Sequence, residues 1–187
     1  MTLSHPGEPL TYPVAGLLGE LPGAIRVYPV AGVTIDIGPD LELADPIEGR
    51  VRLTRTNRGL IADAKLHTAI VGVCSRCLRD IEIPLDLAID EEVLPSVDLT
   101  TRAPIDVSAE PEAERLNGHH ELELEPLVRE AIQLAEPIAP LCREDCPGLC
   151  AVCGEELAPH PHQHDEEIDP RMEALLGFTV DGDARTD

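Results

Sequence analysis

The clearest signal along the chain is alternation. Val51 and Leu53 interleave with Arg52 and Thr54, and Ala62, Ala64, Leu66, Thr68 and Ile70 interleave with Asp63, Lys65 and His67. Farther on, Ile81, Ile83, Leu85, Leu87 and Ile89 alternate with Glu82, Pro84, Asp86, Ala88 and Asp90. A period of two sends successive side chains to opposite faces, so these segments predict strands with one face packed and one in water. Asn57-Arg58-Gly59 lies between the first two. Asn and Gly tolerate positive φ, so this is turn chemistry. Tyr28–Ile37 reads as another strand, followed by a turn-rich stretch over 38–47. Pro84 falls on a polar face, which predicts an edge strand or a bulge. Together the segments predict an antiparallel meander.

The period then lengthens. Leu124, Leu127, Val128, Ala131, Leu134 and Ala135 recur by threes and fours. That stripe predicts a helix opening between Glu123 and Pro126 and ending at Glu136-Pro137. The expected fold class is α+β: a β-rich antiparallel sheet or meander, one main helix and a C-terminal zinc knuckle. Residues 1–25 are rich in Pro, Gly and Leu without a period. They predict an arm, poorly ordered or partly helical around Ala15–Glu20. Residues 26–178 form the expected domain. Within it, 95–120 is acidic and broken by Pro95, Pro104 and Pro111, which predicts a mobile loop. Arg171–Phe178 reads as a short closing helix, and 179–187 as a disordered tail.

Composition sharpens this picture. Aromatic residues are 2% of the chain and Trp is absent, so the core must be built from Leu, Ile, Val and Ala. Such a core buries less area per residue than rings do, and a metal is a common supplement. Acidic residues outnumber basic ones 36 to 14, the net charge is −22, and Lys65 is the only lysine. Phosphate contacts need Lys and Arg, so strong direct nucleic-acid binding is not expected. The plain alternative is that the acid keeps the chain soluble. Residues 1–25 lack a basic start followed by an apolar run, and no stretch approaches the roughly 18 apolar residues that span a bilayer. The expected location is therefore cytoplasmic. In that reducing compartment the six cysteines are expected as metal ligands or free thiols.

Those cysteines are Cys74 and Cys77, then Cys142, Cys146, Cys150 and Cys153. Two residues between cysteines let both sulfurs reach one tetrahedral ion at about 2.3 Å. Gly154, directly after Cys153, supplies the free φ such a turn wants. Zinc is the expected ion, and ligand type alone leaves iron–sulfur ligation open. Three groupings fit the spacing. Cys146, Cys150 and Cys153 take one of His160, His162 and His164; or Cys74 and Cys77 join Cys150 and Cys153; or Cys142, Cys146, Cys150 and Cys153 form a local four-thiolate site. The first and third need least loop closure. The candidate metal ligands are thus Cys142, Cys146, Cys150, Cys153, His162, His164, Cys74 and Cys77. Any single cysteine could instead be plain core. A redox role for Cys74 and Cys77 would want a helix N-terminus, but the pair lies between two strands. His119 and His120 are expected to be exposed in a loop. The Cys146-x3-Cys150-x2-Cys153 spacing matches that of radical SAM enzymes, but the short stretch after it excludes their barrel. No Gly-rich phosphate loop or nucleophile elbow is present, so no catalytic residue is expected.

Several of these segments resemble one family. Cys74-Ser75-Arg76-Cys77-Leu78 is similar to the Cys-x-Arg-Cys-Leu signature of YceD proteins, the large ribosomal RNA subunit accumulation proteins. Glu121 to Glu130 resembles their helix. Leu141 to Gly154 resembles their Cys-rich segment, and Ile168-Asp169-Pro170-Arg171 the motif that closes their domain. Where family members often carry one more cysteine, this chain has His160, His162 and His164. The resemblance implies a non-catalytic part in ribosome biogenesis. With this charge, it implies a basic ribosomal protein or pre-ribosomal particle as partner. A thiol-redox or RNA-processing protein using Cys74 and Cys77 is the alternative.

Overall fold

A computed structural model of the chain describes residues 10–106, 108, 110–157, 164, 171 and 172. The chain divides into two compact units, one up to Cys146 and one from Pro147.

The first unit begins with strand β1 (Thr11–Pro13) and a one-turn helix α1 (Ala15–Leu18). Then come β2 (Ile25–Val33), β3 (Glu42–Arg55), β4 (Leu60–Val73) and β5 (Asp80–Leu94). Two short strands, β6 (Glu114–Arg115) and β7 (Glu121–Glu123), precede helix α2 (Glu125–Ala135). The main sheet runs β2-β3-β4-β5-β6, and β1 pairs with β7 in a separate ribbon. Neighbours in the main sheet are antiparallel except β6, which adds in parallel to β5 through Val93 and Leu94. The fold is α+β and β-rich, as the alternation predicts.

Register puts the apolar set on one face. Val51 faces Ala64, which faces Ile89; Leu66 faces Leu87, and Ile70 faces Ile83. A slip of one residue would turn the whole set into water, so burial itself fixes the pairing. The opposite parity of β5, at Asp86, Ala88 and Asp90, is exposed. Helix α2 lies against β5 and buries Leu127, Val128 and Ile132. Pro126 sits in its first turn, and Glu125 pairs with Arg129 at 2.6 Å one turn on. The helix ends at Glu136, before Pro137, as its spacing predicts.

Two boundaries differ from the expectation. The strand expected over Tyr28–Ile37 spans Ile25–Val33, and β3 starts at Glu42, inside the stretch that reads as turns. Its first half pairs with β4 through register shifts between Leu43 and Glu48, and such bulges break the period of two. At Gly49 φ is 144°, and a Cβ there would stand 2.2 Å from the Lys65 carbonyl oxygen. Only glycine lets β3 and β4 approach this closely.

The stretch expected as an arm is helical at Ala15–Leu18, inside the span expected for a helix, and it also supplies part of the core. Leu10, Tyr12, Val14, Leu17 and Leu18 are buried there. The N–H of Val14 donates to the His120 carbonyl at 3.0 Å, and that of Leu124 to the Leu10 carbonyl at 3.0 Å. No period shows in the sequence because the segment passes from strand to helix within a few residues. The 95–120 stretch holds β6, a bridge between Val97 and Pro104, and the buried Leu116. His119 is exposed, as expected, but His120 is not: it is 4% exposed, and neither ring nitrogen has a hydrogen-bond partner among the described residues. The closing helix and tail expected after Arg171 lie outside the described residues beyond Met172. Among the described residues no helix is long and apolar enough to cross a membrane.

Candidate metal centre

The loop at 74–79 joins β4 to β5, and the segment after α2 runs back to meet it. Ser75 N–H donates to the Pro140 carbonyl at 2.8 Å, and the Arg76 guanidinium donates to the Cys146 carbonyl at 2.9 Å. These bonds bring Cys142 and Cys146 beside Cys74 and Cys77. The four sulfurs lie within 4.8 Å of one another. Cys74 Sγ is 3.8 Å from Cys146 Sγ, and Cys77 Sγ is 3.7 Å from Cys142 Sγ. Neither is a disulfide, and none of the six cysteines is disulfide-bonded. A tetrahedron with metal–sulfur bonds of about 2.3 Å has edges of about 3.8 Å. Both distances match that edge. Cys74 is fully buried and Cys146 is 3% exposed, so these ligands need no rearrangement to exclude water.

Protonation follows the same geometry. The Cys74 thiol is drawn down to about 6, first by the Cys77 backbone N–H and then by that of Cys142. The Cys142 thiol is pushed up to about 12, first by its hydrogen bond with the Cys146 sulfur and then by desolvation. One thiolate is well served by amides, but several at this spacing repel one another unless a cation sits between them. Four cysteines in this arrangement could hold a metal.

The second unit repeats the turn. Cys150 N–H donates to the Glu155 carbonyl at 2.7 Å, and Gly154 N–H to the Cys150 carbonyl at 2.8 Å. In the first loop Cys74 N–H donates to the Arg79 carbonyl at 2.8 Å, and Leu78 N–H to the Cys74 carbonyl at 2.9 Å. The offsets are identical. The residue after each second cysteine has positive φ: 58° at Leu78 and 76° at Gly154. Val152 N–H points at the Cys150 sulfur, 3.4 Å away. A bridge between Leu149 and Glu156 closes the turn. Cys150, Cys153 and His164 bring their ligand atoms within 4.8 Å of one another. They too could hold a metal. His160 and His162 lie outside the described residues.

Seven of the eight sequence candidates, all but His162, therefore fall into groups that none of the three spacing schemes contains. Cys142 and Cys146 join Cys74 and Cys77, not Cys150 and Cys153. The preference for ligands near in sequence fails here because the strand pair and α2 carry the closure cost. Once they pack, the two segments are already adjacent.

Comparison with known proteins gives the family. The family model described as "Large ribosomal RNA subunit accumulation protein YceD" matches residues 62–179, which spans both groups of cysteines. The chain belongs to the YceD family. An uncharacterized protein of Mycobacterium tuberculosis (strain ATCC 25618 / H37Rv) is 30% identical over 176 residues, 92% of this chain and 82% of that one. An uncharacterized protein of Mycobacterium leprae (strain TN) is 29% identical over 195 residues, 100% of this chain and 86% of that one. No solved structure matches.

Proposed function

We propose that this YceD protein is a non-catalytic, cytoplasmic factor for accumulation of large-subunit ribosomal RNA, stapled by zinc and directed at a basic ribosomal protein or pre-ribosomal particle. The observation that carries the reading is the four-cysteine cluster. A tetrahedral ion held by Cys74, Cys77, Cys142 and Cys146 has no vacant position for water, which is the mark of a structural site. Cys150, Cys153 and His164 hold a second zinc in the second unit. The family's printed name supplies the link to ribosomal RNA. The charge of −22 favours a basic client over RNA itself. The redox alternative gains something from the lowered Cys74 thiol. It loses more to access, because the Cys74 sulfur, with no exposure, is closed to a thiol or disulfide substrate from outside.

The test is genetic and biochemical together. Depleting the protein is expected to lower large-subunit ribosomal RNA relative to small-subunit RNA, with rescue by the wild type and not by the double variant Cys74→Ser/Cys146→Ser. An unchanged RNA ratio on depletion would refute the role. Full rescue by the zinc-deficient variant would refute the staple. Basic ribosomal proteins are expected to be retained on the immobilised protein and released as salt rises.

A further inference from the structure

Strand β5 is paired along its whole length on one side only. Toward β4 its register is continuous from Asp80 opposite Val73 to Val93 opposite Leu60. On the other side β6 takes only Val93 and Leu94. From Asp80 to Glu92 the outer edge therefore has no strand partner among the described residues. A long open edge is a template for another strand. Helix α2 runs beside it, and between the two lies a groove of about 560 Å³.

The groove has two chemical components. Leu87, Ile89 and Leu127 form an apolar floor, and Leu134, 79% exposed, stands at its lip. The charged lining is all acidic. Asp86 and Asp90 are on the solvent parity of β5, Glu91 shares the parity of Leu87 and Ile89, and Glu130 comes from α2. None of these four carboxylates makes an ion pair among the described residues, and no Lys, Arg or His lines the groove.

We infer that this groove binds an extended, lysine- and arginine-rich segment of a partner protein, which adds to the β5 edge as a strand. Backbone bonds to the edge give the affinity, and alternate side chains read the two components. Apolar residues of the segment face Leu134 and the floor, while the alternate basic ones, on the opposite face, meet Asp86 and Asp90. Seven residues, Leu85 to Glu91, offer about 20 Å of edge. The charges also select. A second copy of this chain would bring the same carboxylates against themselves, and RNA would bring phosphates. Pro84, part-way along the edge, lacks the N–H that ladder pairing needs, and this limits the template to the stretch after it. The inference rests on the reading of a basic client and gives that client a location and a conformation.

The experiment uses the zinc-loaded full chain and a fluorescent peptide of alternating lysine and valine as the probe. Expected results are saturable binding and slower amide hydrogen exchange across Leu85–Glu91. Asp86→Lys/Asp90→Lys should weaken binding at least about tenfold, since two surface pairs become two repulsions. Asp40→Lys/Glu42→Lys, the same charge change at exposed positions elsewhere, should weaken it no more than about threefold. A peptide N-methylated at alternate residues should lose most of its affinity. Equal losses in the two double variants, or unchanged binding of the methylated peptide, would overturn the groove while leaving a basic client standing. Dimers of the wild type that dissociate in Asp86→Lys/Asp90→Lys would overturn it in favour of self-association. If the peptide binds nowhere, the groove is overturned, and retention of ribosomal proteins on the wild type decides the client reading separately.

Discussion

Removing the metal from the four-cysteine cluster should cost the first unit much of its stability, and the size of the loss can be worked from the separations. Cys74 and Cys146 are 72 residues apart, and Cys77 and Cys142 are 65 apart. A cross-link closing a loop of about 70 residues removes chain entropy worth about 4 kcal/mol at room temperature. Each kcal/mol moves the midpoint of a domain of roughly 150 residues by about 2–4 °C, so the expected loss is about 10–15 °C. The assay is thermal unfolding by circular dichroism of the zinc-loaded protein, with and without chelator, beside Cys146→Ser and Cys153→Ser. Chelator and Cys146→Ser should each lower the midpoint by that amount, and their effects should not add. Cys153→Ser should spare most of the shift, because it touches the other group. Elemental analysis should give two zinc ions per wild-type chain and one in either variant. A wild-type midpoint that ignores chelator, or a Cys146→Ser chain that keeps both ions, would refute the reasoning.

Other expectations concern the scaffold. Gly49→Ala should destabilise by about 2–3 kcal/mol in denaturant titration, because its Cβ would meet the Lys65 carbonyl at 2.2 Å and no side chain can yield there. Leu78, at φ 58° and 65% exposed, carries left-handed backbone strain at the first cysteine turn. Leu78→Gly should keep its zinc and its melting midpoint, whereas the β-branched Leu78→Val should lose about 1–2 kcal/mol. Tyr12 has its hydroxyl pushed up to about 12, first by burial and then by the neighbouring Tyr28, whose ring centroid is 4.9 Å away. A raised folded value favours the neutral phenol, so its contribution is complete below the ordinary value of 10.0 and is lost as pH climbs from there to about 12. Tyr12→Phe should flatten that alkaline fall and remove one late-titrating step from the tyrosinate absorbance.

Much of this molecule was legible along the chain. Strands β4 and β5 and the turn at Asn57–Gly59 follow from a period of two, and α2 from a stripe ended by Glu136-Pro137. Local patterns suffice there because burial of one face both chooses the element and sets its register. The sequence also marked the cysteines as candidate ligands, since paired spacing and turn residues are local properties. It left α1 (Ala15–Leu18) as one of two alternatives for the first 25 residues and missed β1, because these few residues are held by the His120 carbonyl and the Leu10–Leu124 contact rather than by any period of their own. It missed the burial of His120 for the same reason. Above all it could not say which cysteines share an ion. Spacing ranks partners by nearness along the chain, but a metal requires nearness in space. The packing of α2 on β5 and the bonds from Ser75 and Arg76 to the 140–146 segment bring sulfurs 65 and 72 residues apart to 3.7 and 3.8 Å. That choice belongs to the tertiary structure, because only the folded sheet and helix have already met the cost of closing so long a loop.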